Sequence, residues 1–319
     1  MKPRALITHM LLPEAMDFLA PRVDYDLCPE KDALAKDDIL SRIADKEGLL
    51  CLLTDEIDRD IMDAAPRLKI IANCAVGFNN IDVACAREKG ILVTNTPGVL
   101  TETTADLTWA LILAVARKIP QADRFTRAGF FTGWKLDLFL GREITGKRLG
   151  IVGLGRIGKA VTERARGFRL DVVYFDSRRL SRSEEQSSSI SFLPLDDLLQ
   201  TSDIVSVHAS MTPETHHLLS RDKIRLMKKE AIFINVARGP IVDEKALAEA
   251  LAEGRLFGAG IDVYEREPEI EPELLRLDNV VLLPHIGSAT YETRLKMAMA
   301  AARNLIQGLR GEKPDNLIV

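Results

Sequence analysis

The sequence predicts an α/β protein with two parallel-sheet domains that meet at a cleft. The chain has 319 residues, more than one ordinary hydrophobic core accommodates. Short apolar runs alternate with amphipathic segments along most of it, the pattern of strands and crossover helices in parallel sheets. At 149–158 the run LGIVGLGRIG joins an apolar strand to a glycine-rich turn and the start of a helix.

The domain boundaries follow from breaks in this alternation. Thr96, Pro97 and Gly98 interrupt it before a long apolar helix predicted over 102–119. A last helix, predicted over 289–309, returns to the first domain. We therefore predict a discontinuous, flavodoxin-like substrate-binding domain of residues 1–98 and 288–319. Residues 99–287 form the dinucleotide-binding Rossmann domain, and the active site lies in the interdomain cleft.

The glycine-rich turn predicts a dinucleotide site. Gly153 permits the tight turn, Gly155 lets the backbone approach a pyrophosphate, and Gly158 allows close packing of helix and strand. A helix predicted over 156–167 and a strand that ends at Asp176 complete the βαβ unit. A glycine turn without a ligand is the competing interpretation. The predicted phosphate-binding residues are Gly153, Gly155, Arg156, Ile157 and Gly158.

Asp176 bears on the choice of cofactor. A carboxylate at the end of this strand accepts hydrogen bonds from the ribose hydroxyls and repels the extra phosphate of NADP. Arg178 and Arg179 follow at once, and guanidinium groups there could instead bind a 2′-phosphate. NAD(H) is favoured over NADP(H), because the acidic residue ends the strand itself.

Composition excludes several classes of partner. The net charge is −4, and lysines and arginines are scattered, so nucleic acid and anionic membranes are not expected partners. The four cysteines show no spacing typical of a zinc site or a disulfide framework, so no metal is expected. The N-terminus lacks a signal-peptide pattern, and the longest apolar helix is too short to span a bilayer. We expect a cytoplasmic protein.

Three charged residues follow predicted strands near the C-terminal half of the chain. They are Arg238 after AIFIN, Glu267 after GAGIDVY, and His285 after NVVLL. Carboxyl ends of parallel strands face the ligand crevice, so these side chains are expected to converge on the nicotinamide. A guanidinium grips a carboxylate, an imidazole exchanges a proton near neutral pH, and a paired carboxylate orients the ring. Together they indicate reduction of a 2-oxo acid.

The chain resembles the D-isomer-specific 2-hydroxyacid dehydrogenase family over essentially its whole length. The motifs that carry the resemblance are GLGRIG, NVARGPIVDEKAL, GAGIDVYEREP and LLPHIGSAT. The segments CAVGFNNIDV and FLGREITGKRLGIVG are most similar to the glyoxylate reductase and hydroxypyruvate reductase branch. The resemblance implies an NAD(P)H-dependent reductase of short 2-oxo acids that forms a homodimer.

The resemblance also implies roles for individual residues. His285 matches the acid/base of the family, Glu267 the carboxylate that pairs with it, and Arg238 the substrate-binding arginine. Val76 and Gly77 match a loop whose backbone N–H groups bind the substrate carboxylate. Leu53 is a further candidate for the substrate pocket, with core packing as the alternative.

Further positions match residues around the nicotinamide. Asp262 aligns with the group that receives the carboxamide, and helix capping competes as an explanation for Thr104 and Ser288. Trp134 is interpreted as a dimer anchor, and His216 and His217 as the end of an exposed loop rather than metal ligands. The predicted contacts at this end of the cofactor are Thr104, His208, Ala237, Arg238, Asp262, His285, Gly287 and Ser288.

Several activities remain open at this stage. A similar set of arginine, glutamate and histidine would serve three other activities. They are a 2-ketogluconate reductase, a D-3-phosphoglycerate dehydrogenase without a regulatory domain, and a phosphite dehydrogenase. A nucleotide-sensing corepressor, which binds rather than catalyses, represents a different class. Oxidation of NADH or NADPH on addition of glyoxylate or hydroxypyruvate distinguishes an enzyme from such a sensor.

Overall fold

A computed structural model describes residues 2–28 and 35–319 of the chain. The chain divides into two compact units, Met1–Leu100 with Ser288–Val319, and Thr101–Gly287. Each unit is an α/β domain with its own parallel sheet, so the predicted fold class is confirmed. The units change at 100/101 and 287/288, against predicted domain boundaries at 98/99 and 287/288, and the assignment of substrate and dinucleotide to them stays a prediction.

The first unit contains a five-stranded sheet in the order β2-β1-β3-β4-β5. This order is that of flavodoxin-like folds. The central strands β3 and β4 are buried along their whole length, which explains their continuous apolar sequence. The elements are β1 Arg4–Ile7, α1 Pro13–Leu19, β2 Asp24–Leu27, α2 Lys36–Ile43, β3 Gly48–Cys51, α3 Arg59–Asp63, β4 Ile70–Asn73, α4 Val83–Lys89, β5 Leu92–Thr94 and, from the C-terminal segment, α12 Tyr291–Leu309.

The second unit contains a seven-stranded parallel sheet in the order β12-β11-β10-β9-β6-β7-β8. The strand order reverses between β6 and β9, and open α/β sheets bind ligands beside such a reversal. The elements are α5 Thr101–Ala116, α6 Ile119–Arg127, β6 Arg148–Val152, α7 Arg156–Ala165, β7 Asp171–Phe175, α8 Arg182–Ser188, β8 Ile190–Phe192, α9 Leu195–Thr201, β9 Ile204–Val207, α10 Arg221–Leu226, β10 Ile232–Asn235, α11 Glu244–Ala252, β11 Gly258–Ile261 and β12 Val280–Leu282.

The apolar helix predicted over 102–119 is in fact two helices. Helix α5 ends at Ala116, and Lys118 adopts a left-handed backbone conformation before α6 begins. Pro120 explains the break, because a proline ring clashes with the carbonyl four residues earlier in a continuous helix. The Ala116 carbonyl instead accepts a hydrogen bond from the Arg142 N–H at 2.7 Å. Thus α5 is largely buried, whereas α6 has no buried residue.

The other predicted helix ends differ by a few residues. Helix α7 ends at Ala165 and is followed by a 3₁₀ turn, Arg166–Phe168. Helix α12 begins at Tyr291 because the Thr290 hydroxyl accepts a hydrogen bond from the Thr293 N–H. Among the described residues, no helix combines the length and apolar character needed to cross a membrane.

Trp109 joins α5 to α7 in the core of the second unit. Its side chain is 5% exposed, and its indole N–H donates to the Val161 carbonyl at 3.1 Å. The ring stacks on Phe168 with a centroid separation of 4.5 Å. This residue therefore combines a large buried apolar surface with a satisfied polar group.

We expect Trp109→Ala to lower the free energy of unfolding by about 3–5 kcal/mol, because it leaves a cavity between the two helices. Trp109→Phe keeps a ring and loses the hydrogen bond, so its cost should be about 1–2 kcal/mol. Leu275→Ala, at a residue that is 61% exposed, is the control and should change stability by less than about 0.5 kcal/mol. Urea unfolding of the three variants measures these values. Equal losses for Trp109→Ala and Leu275→Ala would contradict the packing role.

Candidate active site

The glycine-rich turn lies between β6 and α7. Gly153 has a φ of +96°, and a Cβ atom there would lie 2.4 Å from the Ala209 nitrogen. A Cβ atom on Gly158 would lie 2.3 Å from the Gly153 carbonyl oxygen, so helix and turn touch through bare backbone. A Cβ atom on Gly155 meets nothing within 4 Å, so this side of the turn is open. The turn and the free N–H groups of the ten-residue helix α7, whose first residues are Arg156 and Ile157, fit a pyrophosphate.

Asp176 is attached to the same turn. Its Oδ2 atom accepts a hydrogen bond from the Leu154 N–H at 2.7 Å, and its Oδ1 atom accepts one from the Arg178 N–H at 3.0 Å. The carboxylate directly follows β7, as predicted from the sequence. It therefore has a defined position beside the open turn.

Arg179 is held by other groups. Its Nε and Nη2 atoms donate to the two carboxylate oxygens of Glu185 at 2.9 and 3.0 Å. The guanidinium also lies over the Phe192 ring, 5.0 Å from the centroid. The side chain of Glu185 is nearly buried. Its Oε1 atom also accepts a hydrogen bond from the Tyr174 hydroxyl at 2.9 Å. Both Arg178 and Arg179 are exposed residues.

Three neighbouring strands bring two predicted catalytic residues and one predicted cofactor contact to one edge of the sheet. Strands β10, β11 and β12 pair in parallel, and Arg238, Asp262 and His285 follow their carboxyl ends. The turn at Arg238 is fixed by Asn235, whose side chain accepts from the Ala237 N–H and donates to the Arg238 carbonyl. Ala237 lies in this turn. The convergence expected from parallel topology is therefore present within the second unit.

His285 and Glu267 form a close pair. His285 Nδ1 lies 2.8 Å from Glu267 Oε2, and Glu267 Oε1 accepts the Tyr264 N–H at 3.0 Å. Because a carboxylate only accepts hydrogen bonds, Nδ1 carries the proton, and Nε2 is left to exchange one. Burial raises the pKa of Glu267, but the hydrogen bond from His285 and the nearby Arg238 outweigh it and hold the pKa below its ordinary value.

Asp262 offers an oxygen with no partner. The residue is 1% exposed, and its Oδ1 atom accepts the Ile286 N–H at 2.7 Å. Its Oδ2 atom is buried and has no hydrogen-bond partner among the described residues. Burial raises the pKa of this carboxyl group. A buried acceptor without a donor costs free energy, so the position fits a ligand that brings an N–H group, such as a carboxamide.

Thr104 and Gly287 adjoin Asp262. The Thr104 hydroxyl donates to the Gly287 carbonyl at 3.0 Å. A Cβ atom on Gly287 would lie 3.2 Å from Asp262 Oδ2, so glycine keeps the space beside that oxygen open. Thr104 lies in the first turn of α5, inside the helix, and its hydroxyl bonds to a distant segment rather than capping α5. Ser288 belongs to the other unit.

His208 follows β9 beside the glycine turn. Its Nε2 atom is 2.8 Å from the Ser206 hydroxyl, and its backbone N–H donates to the Val152 carbonyl. Burial lowers the pKa of His208 to about 3, so the ring is neutral at physiological pH. Its Nδ1 atom is buried and has no partner within the described part of the chain.

The predicted substrate-binding residues of the first unit follow adjacent strands. Leu53 comes after β3, whereas Val76 and Gly77 come after β4. Asparagines that the sequence analysis did not single out hold these loops. The Asn73 side chain donates to the Gly77 carbonyl, the Asn95 side chain donates to the Val76 carbonyl (both at 2.8 Å), and the Asn80 side chain donates to the carbonyls of Leu52 and Asp55.

Two groups lie outside this arrangement. His216 and His217 stack with ring centroids 4.2 Å apart, and His217 Nε2 lies 2.8 Å from Glu265 Oε1. We assign these side chains a hydrogen-bonded contact only. Trp134, in contrast, is 80% exposed. Other large apolar side chains of the same loop are also exposed; they are Phe130, Phe131, Leu136 and Leu140.

Comparison with known proteins agrees with this geometry. Residues 109–287 match a family model described as "D-isomer specific 2-hydroxyacid dehydrogenase, NAD binding domain". The glyoxylate reductase of Korarchaeum cryptofilum is 46% identical, with 100% of this chain and 96% of that protein covered. The glyoxylate reductase of Thermococcus kodakarensis is 45% identical, with the same two shares covered.

Solved structures are also similar to this chain. The TT0316 protein from Thermus thermophilus has a TM-score of 0.93 and 44% identity, covering 99% of this chain and 100% of that one. An NADPH-dependent glyoxylate/hydroxypyruvate reductase from Sinorhizobium meliloti, in complex with NADP and malonate, has a TM-score of 0.87 and 30% identity, covering 100% and 97%. The chain thus belongs to the D-isomer specific 2-hydroxyacid dehydrogenase family and is an NAD(P)-dependent dehydrogenase.

Proposed function

We propose that this chain reduces a short 2-oxo acid, with glyoxylate and hydroxypyruvate as the first candidates, to the D-2-hydroxy acid. The observation that carries the proposal is the His285–Glu267 pair, which lies on the same sheet edge as Arg238 and the unpartnered Asp262 oxygen. The relatives named glyoxylate reductase, at 45% and 46% identity over the whole chain, support this choice of substrate.

In the proposed reaction, His285 is the acid and Arg238 the electrostatic partner. When bound, the reduced nicotinamide supplies the hydride that reaches the keto carbon. His285 Nε2 gives its proton to the keto oxygen, and Glu267 stabilises the imidazolium from which that proton leaves. Arg238 attracts the negative charge that develops on the oxygen and stays cationic across the working pH range. Val76 and Gly77 are proposed to bind the substrate carboxylate, and Leu53 to line its pocket.

We propose NADH as the preferred cofactor. Gly153, Gly155 and Gly158 with the first turn of α7 would hold the pyrophosphate, and Asp262 with Thr104 and Gly287 the nicotinamide end. Asp176 would accept the ribose hydroxyls and repel a 2′-phosphate. Arg179 is engaged by Glu185, so binding a 2′-phosphate would require it to leave two hydrogen bonds. Arg178, Ala237, His208 and Ser288 remain further candidates for cofactor contact.

Self-association and location are part of the same proposal. The exposed apolar side chains of the loop around Trp134 would be buried in a homodimer, since several large apolar side chains exposed in one loop are typical of an interaction site. The four cysteines are free thiols and are all buried, as expected for a protein of a reducing compartment. A cytoplasmic homodimer is therefore proposed.

Replacing His285 tests the reaction. We expect His285→Ala to lower kcat for glyoxylate by about 10²–10⁴-fold, because the proton donor is lost. The Kd for NADH should stay within about twofold of wild type, since the substitution removes a proton donor and not the groups that bind the phosphates of the cofactor. His216→Ala, in an exposed loop, is the matched control and should keep full activity. Steady-state kinetics and fluorescence titration measure both quantities. Wild-type-like turnover of His285→Ala would rule out the role.

Replacing Glu267 tests the pair through its pH dependence. The folded-state pKa of Glu267 lies below the ordinary 4.5, so its stabilising contribution is complete above that pH and is lost as the pH falls through the folded value. We expect the stability difference between wild type and Glu267→Gln to shrink as the pH falls below 4.5. Urea unfolding at a series of pH values measures it. The exposed Glu269→Gln is the control; a difference that is constant with pH for both variants would contradict the pairing.

Cofactor preference tests the assignment of Asp176 and Glu185. We expect kcat/KM to be at least about tenfold higher with NADH than with NADPH. Glu185→Gln should narrow this ratio severalfold, because it weakens the ion pair that holds Arg179. Glu184→Gln is the control: within the described residues the hydrogen bonds of the Glu184 side chain go to Ser181 of its own helix cap, so this variant should leave the ratio unchanged. Steady-state kinetics with both cofactors decides; a wild type that prefers NADPH would refute the assignment.

A further inference from the structure

Glu267 lies on a segment that has almost no regular structure of its own. Residues 262–273 contain no helix and no strand, only an isolated bridge between Arg266 and Glu269. The hydrogen bond between Glu267 and His285 nevertheless requires a fixed carboxylate. The segment must therefore be held by groups outside it.

One side chain holds the segment on both sides of Glu267. Glu244, the first residue of α11, is 8% exposed. Its Oε2 atom accepts the Glu265 N–H at 2.6 Å, and its Oε1 atom accepts the Glu271 N–H at 2.8 Å. In return, the Glu244 N–H donates to Glu265 Oε2 at 3.3 Å. A single carboxylate thus ties two points of the segment to the start of a helix.

We propose that Glu244 is a positioning residue for the reaction, which fixes the carboxylate of Glu267 against His285. This inference rests on the proposed function. The path is short: Glu267 Oε1 accepts the Tyr264 N–H, and Tyr264 is the neighbour of Glu265, whose own N–H is bound by Glu244. Displacement of this backbone moves the Glu267 carboxylate, and a shift of about 1 Å in an active site costs up to about 10²-fold in rate.

The chemistry of the site explains why a glutamate stands there. Two N–H donors approach from different parts of the segment, so two acceptor oxygens are needed, and a glutamine offers only one. Burial raises the pKa of Glu244, the two backbone hydrogen bonds lower it, and the negative charges of Glu265 and Glu271 raise it further. A buried carboxylate in acidic surroundings is costly, and its charge-assisted hydrogen bonds offset that cost.

Kinetics and hydrogen exchange of Glu244→Gln test the proposal. We expect kcat/KM for glyoxylate to fall about tenfold, with the Kd for NADH within about twofold of wild type. The acidic limb of the kcat/KM profile should move to higher pH, because the Glu267 carboxyl, whose pKa the His285 hydrogen bond holds below its ordinary value, loses that partner. The charged groups that face Glu267 are His285, Arg238 and Asp262, and those that face Glu244 are Glu265 and Glu271. Amide exchange in residues 264–271 should become faster.

The matched control is Glu271→Gln. It removes a neighbouring charge but keeps the backbone N–H that Glu244 binds, so activity, pH profile and exchange should stay close to wild type. Glu244→Asp keeps both acceptor oxygens on a shorter side chain and should lie between wild type and Glu244→Gln. It also replaces Glu244→Gln in the test if that variant does not fold.

Two results would overturn the proposal. One is unchanged kinetics and exchange in Glu244→Gln. The other is a lower melting temperature with an unmoved pH profile, which indicates a purely structural role. A wild type that turns over no 2-oxo acid would instead refute the proposed function. In that case, amide exchange in residues 264–271 of Glu244→Gln would still test whether Glu244 orders the segment. Exchange as slow as in wild type would show that it does not.

Discussion

The parallel pairing of β10, β11 and β12 is the constraint on which the site depends. Backbone hydrogen bonds between these strands fix their register, so their carboxyl ends lie at one edge of the sheet. Arg238, Asp262 and His285 are separated by more than twenty residues along the chain, yet each follows one of these ends. A slip in pairing would move a catalytic side chain by several ångströms.

Carboxylates held by backbone N–H groups are the second theme: Asp262 and Glu244 are buried, and Glu267 is more exposed. Asp262 accepts the N–H of Ile286, Glu267 that of Tyr264, and Glu244 those of Glu265 and Glu271. Hydrogen bonds of this kind favour the charged form of a group that burial would otherwise neutralise. They also fix direction, because a bound backbone N–H permits few orientations of the carboxylate. The same bonds thus place charge and define geometry.

At the ribose end of the proposed cofactor site, the preference between NADH and NADPH depends on which groups already bind the arginine side chains. Arg178 and Arg179 are equivalent in the sequence, as two basic residues after an acidic strand end. Both are exposed in the fold, but they differ because Glu185 binds the Arg179 guanidinium through two hydrogen bonds. The free energy of a 2′-phosphate contact would depend on breaking an existing ion pair, so specificity is a competition between partners.

The sequence by itself determined the fold class, the glycine turn and the positions of Arg238, Glu267 and His285, because strand periodicity and glycine spacing are local properties. It also predicted the acid at Asp176, since that residue directly follows a strand. Only the tertiary structure showed which residues of distant segments contact each other. The hydrogen bonds that Glu244 accepts from the Glu265 and Glu271 N–H groups join residues more than twenty positions apart, so their meeting depends on packing. Local pattern carries no information on such partners, since hydrogen bonds between distant segments form only after the chain has folded.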